Sequence, residues 1–218
     1  MPQSSERDDQ LRRWWDKQAH KYDAGMAFFD RRLFGDTRDW ICEAAAGDVL
    51  EVAIGTGLNL AHYPADVNLT GVEWSDAMLA LARRRSAELG RKVDLRHGDA
   101  QRLEFPDASF DTVVCTYGLC AIPDEKQALA EMTRVLRPGG LLLLADHVES
   151  SLWPVRALQG LMELITVPMG GEHFRRRPSR QVRDLGYAIE RRDRFKLGIV
   201  ERIAARKPLT GSQQPTDL

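Results

Sequence analysis

Cysteine is scarce in this chain. There are three, Cys42, Cys115 and Cys120, and their separations match no metal-binding pair. Two of them sit in apolar runs, which suits a reducing compartment, so the expected location is the cytoplasm. No stretch of 18 apolar residues occurs, and nothing reads as a membrane-spanning helix. Charge of one sign is missing as well. Lys and Arg number 31 against 32 Asp and Glu, a formal net charge of -1. No overall field therefore draws the protein to nucleic acid or acidic lipid. Residues 1–18 are charged and have no apolar core, so they do not read as a signal peptide. Internal repeats and coiled-coil heptads are also lacking. Residues 209–218 are polar and turn-rich and read as a disordered tail.

What is present is 218 residues, enough for one α/β domain with a substantial core. Strands and helices alternate from residue 38 to about 147. Helix 37–44 is capped by Asp36 or Thr37 and closed by Gly47. Strand one is Val49–Ile54. A helix begins at Leu58–Tyr63 and is cut short by Pro64. Strand two is Leu69–Glu73, followed by helix Asp76–Leu89 with Met78, Leu81, Ala82 and Leu89 on one face. Val93–Arg96 and Phe110–Tyr117 are the next strands. Pro123 fits a helix N1 position, with Asp124 and Glu125 in the first turn. Pro138-Gly-Gly140 ends that helix before the buried strand Leu141–Ala145. The alternation predicts a parallel sheet with helices on both faces. After a helix near Ser179–Leu185, Ala188–Phe195 and Ile199–Ala205 are joined by only Lys196-Leu-Gly198, which permits only an antiparallel hairpin.

The segment Asp48-Val-Leu-Glu-Val-Ala-Ile-Gly-Thr-Gly-Leu-Asn59 reads as a buried strand, a glycine turn and a helix start. Glu73 ends the next strand, 18 residues after Gly55. A glycine turn lets a ligand lie against the backbone, and an acid on the next strand can accept from ribose hydroxyls. The dinucleotide pattern wants a third glycine where Leu60 stands. Glu51, just before the turn, would repel a pyrophosphate. A cofactor with a sulfonium, an ammonium and a ribose meets neither objection, which favours S-adenosylmethionine.

These motifs resemble the class I S-adenosylmethionine-dependent methyltransferases, in particular the small-molecule branch related to ubiquinone and menaquinone methyltransferases. The residues that carry the likeness are Glu51-Val-Ala-Ile-Gly-Thr-Gly57, Gly71-Val-Glu-Trp-Ser-Asp-Ala-Met78, Gly98-Asp-Ala100, Phe110-Asp-Thr-Val-Val114 and Arg137-Pro-Gly-Gly140. The resemblance covers residues 11–208. It implies a Rossmann-like three-layer α/β sandwich with a seven-stranded, mostly parallel sheet and an antiparallel C-terminal strand. It also implies a helical lid over residues 1–37 and a methyltransferase domain over 38–208. By position, Glu51, Gly55, Thr56, Gly57 and Asn59 would form the turn and its surroundings. Glu73 would hold the ribose, Trp74 and Met78 would flank the adenine, and Asp99 with Ala100 would bind its edge. Thr116 and Tyr117 would lie under the transferring methyl. Tyr22 either closes over the cofactor or simply packs with Trp14 and Trp15.

The acceptor side is less specific. Methyl transfer from a sulfonium needs alignment and exclusion of water more than it needs a dedicated catalyst. His147 or Tyr117 could deprotonate the acceptor or only orient it, with His147 the better candidate for a general base. No metal cluster stands out. Residues 151–177 form an insert in which Trp153, Leu158, Leu161, Met162 and Ile165 recur at helical spacing, as expected of an apolar roof over the active site. Arg175, Arg176 and Arg177 could meet an anionic group or lie on a solvated surface. Leu119-Cys120, Asp146-His147-Val148 and Gly170-Gly171 with His173 resemble thiol methyltransferases. Tyr22-Asp23 and Val52–Leu58 resemble bacterial phospholipid N-methyltransferases. The expected acceptor is a small, rather apolar thiol, amine, phenol or quinol, with phosphatidylethanolamine as an alternative. Arg12, Arg13, Trp14 and Trp15 on the first helix suit peripheral membrane contact or a cofactor lid. No nucleic-acid partner is expected. A non-catalytic adenosyl-binding module is the rival reading.

Overall fold

The computed structural model describes residues 3–209; the expected disordered tail from residue 210 onward lies outside the described residues. Seven strands form one sheet: β1 (Asp48–Val52), β2 (Asn68–Glu73), β3 (Asp94–His97), β4 (Phe110–Thr116), β5 (Leu136–His147), β6 (Ala188–Phe195) and β7 (Val200–Arg206). Their order is β3-β2-β1-β4-β5-β7-β6. The pairings among β1 to β5 are parallel, and β7 is antiparallel to both β5 and β6. The β6–β7 hairpin turns through Lys196, Leu197 and Gly198, all with positive φ. The sheet is the Rossmann-like one the sequence implied.

Alternation along the buried strands divides the core between the two faces. Leu50, Val52, Val113, Cys115, Leu142 and Leu144 pack with Ala128, Leu129, Met132 and Val135 of α4 (Glu125–Val135). Val49, Val114, Leu143 and Ala145 face the other way, against Trp40 and Ile41 of α2 (Thr37–Cys42). α3 (Asp76–Glu88) follows β2 and is capped by the Ser75 hydroxyl, which accepts from the Met78 N–H. α1 (Gln3–Phe29) lies across the carboxyl end of the sheet and packs on α3 and on α5 (Trp153–Gly170). A short α6 (Pro178–Asp184) leads into the hairpin.

Four local expectations are corrected. The helix expected at Leu58–Tyr63 is a single 3₁₀ turn, Leu58–Ala61, entered through the left-handed Gly57. Pro123 is not at N1. Asp124 is the cap of α4, because its carboxylate accepts from the N–H groups of Lys126 and Gln127, each at 3.0 Å. Pro138-Gly-Gly140 does not separate α4 from its strand. β5 starts at Leu136, bulges through the proline and glycines, and resumes register at Leu141 opposite Thr112. Arg137 anchors the bulge to Asp48 and Asp111, at 3.0 and 2.6 Å.

The fourth correction concerns the insert. It is helical, but the face expected to roof the active site points away from the protein. Trp153, Leu161 and Ile165 are 73, 62 and 63 % exposed. The inward face is the polar one. Gln159 is buried, accepting from Ser150 N–H and donating to the Val148 and Phe174 carbonyls. Glu163 accepts from the Phe174 and Arg175 N–H groups, and the Thr166 hydroxyl donates to the Glu172 carbonyl. The loop behind α5 leaves backbone groups unpaired, and these side chains satisfy them.

Candidate active site

The strand order reverses between β1 and β4, so a crevice opens beyond their carboxyl ends, where open α/β sheets bind ligands. Two residues there hold left-handed backbone without being glycine, Ala53 and Tyr117, both at φ 55°. Such strain survives only where the surroundings enforce it, and it gathers at working sites. Gly55, at φ 61°, stands two residues after Ala53, and a Cβ built on it would meet nothing within 4 Å. Its N–H donates to Glu73 Oε2 and the Ser75 N–H donates to Oε1, both at 2.8 Å. Glu73 therefore ties the turn after β1 to the end of β2. Burial raises its pKa, and these backbone donors oppose that rise.

The hollow so formed has Val72, Trp74, Met78 and Ile122 as apolar walls, with Asp99 and Ala100 at one edge and Tyr117 at another. α1 closes the top with Trp15 and Tyr22. Glu73 and Asp99 are its only charged lining side chains among the described residues. Two carboxylates at adjacent strand ends and no cation make a poor seat for a pyrophosphate. They make a good one for a ribose, an adenine edge and a positively charged sulfur.

Of the sequence candidates, Tyr22, Gly55, Glu73, Trp74, Met78, Asp99, Ala100 and Tyr117 line this hollow. Glu51, Thr56, Gly57, Asn59, Thr116 and His147 do not. Glu51, Asn59 and Thr116 form a buried layer beneath it. Asn59 Nδ2 donates to Glu51 Oε1 at 2.7 Å and to Thr116 Oγ1 at 3.0 Å, and Tyr63 donates to Glu51 Oε2 at 3.0 Å. Arg38 donates to Asn59 Oδ1 at 2.7 Å. Burial pushes the Glu51 pKa up to about 7 despite these donors. Gly57 is needed for packing, since a Cβ there would stand 2.8 Å from Leu60 Cδ1 and 3.3 Å from Ala82 Cα. The Thr56 hydroxyl donates to Asp23 Oδ1 at 2.5 Å, fastening α1.

Residues 50–144 match the family described as a methyltransferase domain. The chain is 40 % identical over 118 residues to a phosphatidylethanolamine N-methyltransferase of Cereibacter sphaeroides, covering 53 % of this chain and 58 % of that one. It is 34 % identical over 160 residues to a demethylmenaquinone methyltransferase of Renibacterium salmoninarum, covering 70 % and 65 %. The chain thus spans just under two thirds of the length of these curated relatives. A solved structure from Thermotoga maritima, described as a methyltransferase that is a possible histamine N-methyltransferase, superposes with a TM-score of 0.68. It is 19 % identical and covers 89 % of this chain and 99 % of that one, a likeness of fold. Over its central part the chain is thus similar to methyltransferases, and its fold is shared with a solved S-adenosylmethionine-dependent one.

The lining of the hollow fits S-adenosylmethionine: two acids, apolar walls, and Gly55 with open space before it. The chain also holds parts that the sequence did not reveal. α1 is latched at two points. Asp16 accepts from the Ser75 hydroxyl at 2.5 Å and from the Ala77 N–H at 3.2 Å, while Asp23 accepts from Thr56 and, at 2.6 Å, from Arg85. Asp16 and Asp23 stand seven residues apart, two helical turns, which was the available signal. Beside the cofactor hollow lies a second one, sharing its Trp15 and Tyr22 walls. Trp14, Met26 and Phe29 add apolar surface there, Glu172 adds a carboxylate, and Lys21 stands at the exposed rim. The Glu172 side chain makes no hydrogen bond among the described residues, and burial raises its pKa.

His147 sits among Phe34, Tyr117 and Phe174, with ring centroids 5.6 to 5.7 Å away. Its Nδ1 is 3.2 Å from Asp146 Oδ1. Burial pushes the Tyr117 phenol pKa up, so that hydroxyl stays protonated and is no base at neutral pH. Cys120, Asp146 and His147 bring a thiol, a carboxylate and an imidazole within 4.8 Å, a grouping the cysteine spacing did not foretell. Both Asp146 oxygens are already engaged, by the Cys120 and His147 N–H groups. The three arginines meet internal carboxylates rather than an external anion: Arg175 pairs with Glu163, Arg176 with Glu125 and Arg177 with Glu149.

Proposed function

We propose that this chain is an S-adenosylmethionine-dependent methyltransferase that acts on the amine of a small acceptor that also carries apolar bulk and an anionic group, as a phosphoethanolamine headgroup with a lipid tail does. The observation that carries the reading is Glu172. It is a carboxylate without a hydrogen-bond partner among the described residues, in a hollow walled by Trp14, Trp15, Tyr22 and Phe29. Aromatic faces and an acid together attract an ammonium. Lys21 at the rim offers a partner for a phosphate. The wall shared with the cofactor hollow brings acceptor and methyl donor side by side. The phosphatidylethanolamine N-methyltransferase among the relatives supports the same class of acceptor.

The acceptor enters as an ammonium and must lose a proton before it can attack. Glu172 takes that proton, and its raised pKa makes it a stronger base than an ordinary carboxylate. When bound, S-adenosylmethionine would supply an electrophilic methyl that the nitrogen lone pair could take in line, the new N–C bond replacing the S–C bond and leaving a neutral thioether. Trp15 and Tyr22 hold the line of attack and keep water out.

The test is methyl transfer to lysophosphatidylethanolamine, an alkanethiol and a demethylmenaquinol, by the native enzyme and by Glu172→Gln. Transfer to the amine, reduced about a hundredfold in kcat/KM by the substitution, is expected. Transfer to the thiol or quinol alone, or an unaffected Glu172→Gln enzyme, overturns the amine reading.

A further inference from the structure

α5 is built inside out. Its polar side chains, Gln159, Glu163 and Thr166, recur at i, i+4 and i+7 and all bond inward to the following loop, Gln159 to the Phe174 carbonyl. Its outward side is apolar. Trp153, Leu158, Leu161, Leu164, Ile165 and Met169 are each more than half exposed, and Leu164 reaches 72 %. The charged residues of this helix are Arg156 and Glu163, both only part-exposed, so no formal charge interrupts the ridge. Soluble proteins rarely leave a contiguous apolar surface of this kind without a partner.

The border of the ridge identifies the partner. Where α5 ends at Pro168 and Met169 it meets α1, and the shallow hollow between them is lined by Arg7, Arg13 and Lys17 against a single acid, Glu6. These three cations are exposed. The acids of the same helix that face the body, Asp16 and Asp23, are used up in its latches. Trp14 lines this hollow and also the acceptor hollow, whose rim carries Lys21 and the exposed Phe29. An apolar ridge, a cationic border and interfacial aromatics form the pattern of an element that lies in a membrane interface. No helix among the described residues is long and apolar enough to cross a membrane, so the contact is peripheral. A second copy of the chain is a poorer match. A two-fold contact through this face would bring the two cationic borders together with only Glu6 and Asp9 as exposed acids of α1 to answer them.

We infer that the outward face of α5, with Arg7, Arg13 and Lys17 of α1, docks the enzyme on an anionic lipid bilayer. Apolar side chains sink between the lipids while the cations meet the headgroups. Docking also sets the mouth of the acceptor hollow against the same surface.

The experiment is flotation of the full chain with vesicles of phosphatidylcholine alone or with added phosphatidylglycerol, at low and high salt. It compares the native protein, Leu164→Asp/Ile165→Asp and Arg13→Glu/Lys17→Glu. All four positions are exposed, and intact S-adenosylmethionine binding confirms that each variant folds. Native protein is expected on the anionic vesicles and to leave them as salt rises. The α5 variant should lose at least tenfold in vesicle partitioning. The α1 variant should lose the preference for phosphatidylglycerol by about tenfold. Native protein that fails to float, or an α5 variant that floats as well as the native one, overturns the inference. So does a native dimer that the α5 variant splits while neither binds lipid. The readout is binding to lipid, so it stands or falls independently of which acceptor is methylated.

Discussion

Gly55 and Gly57 share a motif and a positive φ, yet they do different work. A side chain at Gly55 enters the cofactor hollow, whereas one at Gly57 strikes Leu60 and the Ala82 backbone. Gly55→Val should keep its fold, at a cost of about 1–2 kcal/mol for the left-handed backbone, and lose S-adenosylmethionine affinity about a hundredfold by calorimetry. Native affinity in that variant would place the cofactor elsewhere. Gly57→Val should lower stability by roughly 2–4 kcal/mol in thermal or denaturant unfolding, from strain and overpacking together. Both glycines are legible in the sequence, but the division of labour is not, because it depends on what stands 3 Å away. Glu172 was legible only as one acid in a polar run. Its meaning comes from Trp14, Trp15 and Tyr22, about 150 positions earlier in the chain.

Helices show the same division between period and direction. α4 behaves as its sequence suggests, apart from a start shifted by two residues. Asp124→Ala should cost about 1 kcal/mol of stability in denaturant unfolding, since two N–H groups lose their acceptor. α5 was read correctly as amphipathic and wrongly as a roof. A helical period says that two faces exist, and the sequence rule assigns the apolar one inward. Here the inward neighbour is a loop with unpaired backbone groups, so the polar face wins the contact. α1 covers the hollow and is held by two carboxylates. Asp23→Ala removes the acceptor used by both Thr56 and Arg85. Hydrogen exchange should accelerate through residues 14–25, and S-adenosylmethionine affinity should fall about tenfold, as expected of an element drawn from the low-stability end of the molecule. Unchanged exchange would show that packing alone holds the lid.

Across the whole molecule, burial of acids beneath the site makes stability depend on pH. Glu51 has a pKa of about 7 in the folded protein against an ordinary 4.5. Between those values the folded state keeps a proton that the unfolded chain has released. The contribution of this group is therefore fully present below about pH 4.5 and is lost as pH rises through 7. At about 1.4 kcal/mol per unit the loss is at most about 3.5 kcal/mol. Glu51→Gln should flatten this part of the profile and raise the melting temperature relative to the native protein above pH 7. Parallel melting curves for the two proteins from pH 5 to 8 would contradict it.

The sequence by itself determined the alternation of strands and helices, the terminal hairpin, the glycine turn and Glu73. Each of these is a local pattern, readable from period, spacing or the reach of a short connection. It also pointed to the class of cofactor, because Glu73 suits a ribose while Leu60 and Glu51 speak against a pyrophosphate. Only the tertiary structure decided which candidates line the hollow, that Glu51 and Asn59 lie beneath it, and that Glu172 faces the rings of α1. It alone decided that α5 turns its apolar face outward. Those outcomes depend on which surfaces meet across the sheet, and a chain pattern describes a surface without naming its neighbour.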